Sequence, residues 1–138
     1  MARGLLLTFL VLSLVACGGI DLTDPGSVSG AYTLRTINGE ELPSALLQNG
    51  TTYLLEITAG TLTLNEDLTC SLRLTVRETY AGIVDTDTWT PEFTYALSSG
   101  SITLTAGTLL LSGSITGSSI TLTWTLSAID ENVLVFRK

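Results

Sequence analysis

Residues 109–126 read LLLSGSITGSSITLTWTL, and the hinge at Gly117-Ser118 decides how the rest of the chain is read. If these two residues form a hairpin loop, Thr116 faces Ser119, Ile115 faces Ile120, Leu111 faces Trp124 and Leu109 faces Leu126. The apolar residues then share one face, and Gly113 opposite Leu122 sets a small residue against a large one. A slip of one residue would throw every side chain to the other face, so the match fixes register as well as strand identity. Gly followed by Ser suits a type II′ turn, in which glycine supplies the positive φ. The stretch predicts an antiparallel hairpin buried on one side.

The same period of two runs outward in both directions. Leu68, Cys70, Leu72, Leu74 and Val76 alternate with Thr69, Ser71, Arg73, Thr75 and Arg77, the pattern of a half-buried strand. Trp89, Phe93, Tyr95 and Leu97 form another apolar face. A hairpin at Ala59-Gly60 pairs Ile57 with Leu62, and one at Ala106-Gly107 pairs Leu104 with Leu109. A three-residue loop at 65–67 pairs Leu64 with Leu68. These readings predict an all-β fold, an antiparallel up-and-down meander of about eight to nine strands. They fall near 31–37, 52–58, 61–65, 68–78, 87–97, 101–105, 108–116, 119–127 and 132–137, with Leu134 and Phe136 inward in the last. One helical turn is expected at 43–48, with Pro43 at its start and Gly50 just past its end. Pro91 cannot donate to a ladder, so strand 87–97 carries a bulge or borders an opening there. Sequential strands around one core close into a barrel, which the short loops favour over a sandwich.

The front of the chain has a different character. Arg3 precedes an apolar run from Leu5 to Val15, and Ala16 is small. The run is too short to span a bilayer of ~30 Å comfortably, and it offers water no polar face. Residues 1–16 read as a cleaved secretory signal. Leu14-Val15-Ala16-Cys17 resembles the lipobox of bacterial lipoproteins, and that resemblance implies acylation of the Cys17 thiol. A Cys17–Cys70 disulfide would then be excluded. Gly18, in place of the Asp that retains such proteins in the inner membrane, implies an outer-membrane address. Residues 17–29 read as the lipidated Cys and a flexible tether with a reach of roughly 20 Å, and residues 30–138 as the single domain.

The whole chain has 6 basic and 13 acidic residues, so loss of Arg3 with the signal leaves 5 against 13, a net charge of −8. That balance is a poor match to nucleic-acid phosphates and to anionic lipids, and leaves acyl chains as the expected link to the membrane.

Gly30-x-Tyr32-x-Leu34-x-x-Ile37-Asn38-Gly39-x-x-Leu42-Pro43 resembles the opening of small bacterial lipocalin-like lipoproteins, as does Gly60-x-Leu62-x-Leu64-x-x-Asp67-x-Thr69. The likeness runs through most of 30–137. It implies a small barrel that binds hydrophobic molecules, with an Arg near the barrel's end, here Arg137, packed over the opening aromatic Tyr32. Where lipocalins have Gly-x-Trp this chain has Gly30-Ala31-Tyr32, and where the hairpin has Asp-Gly it has Asp67-Leu68.

Residue types narrow the chemistry. There is no histidine, which removes the common nucleophilic systems and the commonest metal ligand. Lys138 is the only lysine. Cys70 falls on an inward face, where a thiol is an inert small hydrophobe. Glu40-Glu41, Glu66-Asp67 and Asp85/Asp87 read as solvated loop charges, too few for calcium and not placed as a glycosidase pair. The expectation is a non-enzymatic protein without cofactor or metal. Candidate ligand contacts are the inward Tyr53, Leu72, Leu74, Trp89, Phe93, Tyr95 and Trp124, either lining a calyx for a small apolar molecule that passes the 40–50 segment or filling the core. An eight-stranded barrel is just wide enough for either, and the bulk of these side chains favours filling. The second functional class is an envelope protein–protein interaction module, presenting an open edge or an apolar loop at Leu46-Leu47 or Ala81 to Val84.

Overall fold

A computed structural model describes residues 23–125 and 131–138. The expected signal peptide, Cys17 and the first part of the expected tether lie outside these residues, as does Leu126. The fold is the expected all-β antiparallel barrel. A short helical turn, α1 (Pro25–Val28), precedes β1 (Gly30–Ile37), β2 (Glu40–Glu41), β3 (Ser44–Asn49), β4 (Tyr53–Leu64), β5 (Thr69–Tyr80) and β6 (Ile83–Trp89). There follow β7 (Glu92–Ser98), β8 (Ser101–Ala106), β9 (Leu109–Thr116), β10 (Ser119–Thr125) and β11 (Glu131–Arg137). Eight of these close a ring in the order β1-β4-β5-β7-β8-β9-β10-β11, with β11 returning to β1.

The strands β4 and β5 are longer than the barrel is tall. Their halves nearest the shared loop belong to the ring: residues 61–64 of β4 pair with β1, and residues 69–71 of β5 pair with β7. Their other halves project beyond it, where residues 53–57 pair with β3 and residues 74–80 pair with β6. The result is a four-stranded extension, β3-β4-β5-β6, rising from one rim.

The Gly117-Ser118 hairpin has the expected register, with Thr116 opposite Ser119, Ile115 opposite Ile120 and Gly113 opposite Leu122. Other turns differ. Ala59-Gly60 is not a hairpin, because β4 runs straight through it with a bulge between Ile57 and Ala59. The bulge switches the inward parity from odd to even residues, so Ile57 and Leu62 both face the core without a chain reversal. The loop expected at Ala106-Gly107 sits one residue later, with Ala106 opposite Leu109 and Leu104 opposite Leu111. Gly107, at φ +58°, takes the first loop position. The loop after β4 is also longer, because Leu64 pairs with Cys70. Leu68 closes that loop at φ +67° and is exposed instead of inward.

The helical turn expected at 43–48 is instead strand β3, which follows a cis Leu42–Pro43 bond. Pairing with β4 satisfies this segment's backbone in a way that one isolated helical turn cannot match. The expected strand 87–97 is two strands broken at Thr90-Pro91, since the proline supplies no donor. Its carbonyl accepts from the Leu72 amide at 3.2 Å. Beyond the break the pairing extends back to Ile83, so Asp85 and Asp87 lie in β6 and not in a loop.

The barrel interior is packed with side chains. Leu34, Ile37, Leu62, Leu72, Leu104, Ile120, Leu122, Leu134 and Phe136 are buried within one cluster, each contributing about 1.5–3 kcal/mol relative to exposure. The end away from the extension is sealed by α1. Val28 is buried there, and the Tyr32 hydroxyl donates to its carbonyl at 2.6 Å. The cation over Tyr32 is Lys138, with Nζ 5.2 Å from the ring centre. Arg137 points outward because Phe136 takes the inward position, which corrects the expected Arg137–Tyr32 packing.

Candidate functional site

The alternating pattern that fills the barrel continues up the inner face of the extension, where no opposite wall covers it. Trp89 ends β6 opposite Leu74, and Trp124 lies near the end of β10. Their rings stack with centroids 5.4 Å apart and planes 15° from parallel, an arrangement worth about 0.5–1.5 kcal/mol beyond area burial. Trp89 nevertheless remains 38% exposed.

Beside this pair lies an open cavity of about 210 Å³ lined by Leu46, Leu55, Ile57, Leu74, Val76, Trp89 and Trp124. Every one is an apolar or indole side chain. Leu46 reaches it from β3, where a register shift lies between Ala45 and Leu47.

A second open space of about 250 Å³ adjoins it, sharing Leu55, Val76 and Trp89 and adding Glu78, Asp85 and Asp87. Strand pairing explains the grouping: Trp89, Asp87 and Asp85 stand opposite Leu74, Val76 and Glu78, so all six occupy one face. Glu78 and Asp85 are directly paired like charges, an unfavourable arrangement. The Tyr53 hydroxyl is pushed above its ordinary pKa, first by its hydrogen bond to Glu78, then by desolvation and by the Glu78 charge. The cation of this sheet is turned away: Arg77 lies on the opposite face and binds Glu56 Oε2 through Nε and Nη2 at 2.9 and 2.8 Å. Among the described residues, no three acidic or cysteine side chains converge closely enough to hold a metal ion.

One buried polar atom lies near the mouth. Asn132 stands across the ladder from Trp124 and is 4% exposed. Its Oδ1 accepts from Asn38 at 3.0 Å, but its Nδ2 has no hydrogen-bond partner. Such a donor costs about 1–3 kcal/mol.

The structure thus brings together Leu74, Trp89 and Trp124 of the expected contact residues. Leu72, Phe93 and Tyr95 are in the packed interior, with the Tyr95 hydroxyl bonded to the Asn65 carbonyl. Tyr53 is half-buried on the outer part of the extension. Leu46, Val76 and the three carboxylates were not among the expected contacts. Their signal was the continuation of the even-numbered face of β5 past Val76 to Glu78.

Cys70 is buried between Leu64 and Phe93. Desolvation, and secondarily the Glu92 charge, push its thiol up to about 12, so it holds no thiolate at neutral pH. A larger concavity, about 630 Å³, lies on the outer wall of the barrel, where Arg35, Glu41, Arg137 and Lys138 contribute to a largely polar groove. No protein-family model matches this chain, and no curated protein matches it significantly.

Proposed function

We propose that this chain is a non-enzymatic, lipid-anchored bacterial envelope protein whose barrel binds a small apolar molecule at its mouth. The single observation that carries the binding reading is the open cavity beside the stacked Trp89–Trp124 pair, lined entirely by apolar and indole side chains. Exposed surface of this kind is unfavourable unless something covers it, and ligand sites are typically apolar hollows with few polar groups. The packed interior moves the site from a central calyx to the rim.

Anchoring rests on the lipobox resemblance at Cys17, and the outer-membrane address on Gly18. Mass spectrometry of the mature protein checks both cleavage and acylation. An unmodified Cys17 would refute the anchor while leaving the barrel reading untouched.

For binding, titration with the neutral fluorophore N-phenyl-1-naphthylamine should give saturable enhancement. Trp89→Ala should weaken it at least about fivefold, the scale of one lost aromatic contact. Failure of wild-type protein to bind neutral apolar probes would sink the proposal.

A second reading has its own support. Tyr80, Ile83 and Val84 are 60%, 72% and 59% exposed at the tip of the β5–β6 hairpin, which suits contact with another envelope protein. Crosslinking from position 83 in intact cells distinguishes the two, since a small-molecule module yields no specific protein adduct.

A further inference from the structure

Resting on the mouth-binding reading, we infer that the ligand is an amphiphile with a cationic head, its apolar part beside Trp89 and Trp124 and its head among Glu78, Asp85 and Asp87. The two spaces form one groove, because Leu55, Val76 and Trp89 line both. One end is wholly apolar and the other carries three carboxylates.

Charge complementarity selects the head. No Lys or Arg lines either space, and the Glu78–Asp85 pair repels across the ladder with no counter-charge on its face. Arg77, the nearest in sequence, is occupied by Glu56 on the reverse side. A neutral or anionic head would leave that repulsion in place, whereas a cation relieves it. The carboxylates do not converge as a metal site does. They spread along two strands, which fits a bulky organic ammonium in contact with an aromatic wall, and Trp89 offers a ring face for cation–π attraction.

The test uses three ligands with one tail: hexyltrimethylammonium, hexanol and hexyl sulfate. Each is titrated against the protein in phosphatidylcholine liposomes, with empty liposomes as the blank. The chain has 2 tryptophans and both are at the mouth, so intrinsic fluorescence reads the site directly. The ammonium should bind roughly five- to tenfold more tightly than hexanol, hexyl sulfate more weakly than either, and the ammonium preference should shrink as salt rises.

The triple variant Glu78→Gln, Asp85→Asn, Asp87→Asn should erase the preference while keeping the hexanol affinity. These side chains are exposed, so the variant is expected to fold, and urea unfolding checks that it does. Equal affinity for all three ligands would overturn the charge inference and leave the mouth cavity intact. A preference that survives the triple variant would overturn the assignment to these carboxylates. No fluorescence change with any ligand would overturn the binding reading beneath it.

Discussion

Gly113 and Leu68 are two positions where backbone geometry and residue choice meet with opposite results. A Cβ built on Gly113 would sit 1.7 Å from the Thr121 carbonyl oxygen and 2.8 Å from its carbon. Both are backbone atoms, which no rotamer change can move aside. Gly113→Ala should therefore cost more than about 3 kcal/mol, at or beyond the upper end of ordinary overpacking, and urea unfolding measures it. Leu68 is the reverse case, a branched side chain at φ +67° where glycine would rest without strain. Leu68→Gly should raise stability by roughly 0.5–1 kcal/mol, because the side chain is 43% exposed and little burial is lost with it. The Asp67 carboxylate beside it accepts from the Thr69 hydroxyl and amide and is held below its ordinary pKa, chiefly by the hydroxyl bond. Its contribution is present above the ordinary value of 3.8 and fades as pH falls through the lowered one.

Strands β4 and β6 show how far an alternating pattern can be read. Apolar residues at 55 and 57, then at 62 and 64, require a change of parity. A two-residue hairpin and a one-residue bulge both supply it, so the sequence specified the inward faces without specifying whether the chain turned back. Cross-strand matching did succeed at Gly117-Ser118, where Gly113 against Leu122 adds a size constraint that a false turn would violate. The helical turn misjudged at 43–48 has a different cause, since β3 exists only because β4 projects far enough to pair with it. That projection also explains why the carboxylates of the mouth read as loop charges: Asp85 and Asp87 join a strand through pairing with residues 76 and 78. Both then curl back, accepting from the amides of Thr86 and Thr88 at 2.9 and 2.8 Å. Occupied amides blunt an edge that would otherwise recruit another strand. Every residue of β6 is exposed, and hydrogen exchange should find its amides, with those of β3, far less protected than those of β8 to β10. Uniform protection across all strands would show that the extension is as stable as the barrel.

Across the whole molecule, burial ties stability to alkaline pH. Cys70 is raised from 9.0 to about 12, and Tyr32 and Tyr95 are raised above 10.0, both mainly by desolvation. The folded state prefers their neutral forms, so their stabilisation is complete below about pH 9 and is lost as pH climbs toward the raised values. The urea midpoint should fall between pH 9 and 12, and Cys70→Ala should flatten the early part of that decline. The thiol should also resist alkylation in native protein and react on unfolding. The same burial gives the molecule two unlike poles. The chain joins the barrel through α1 at the sealed pole, and the groove opens at the other. Only five residues lie between Cys17 and Thr23, at most roughly 20 Å of extended chain. For a protein held at Cys17, so short a link would favour the plugged pole nearer the lipid and the tryptophan mouth toward the aqueous phase. Such a protein would collect its cargo from water and not from the leaflet that holds it, a sentry facing outward from its own wall.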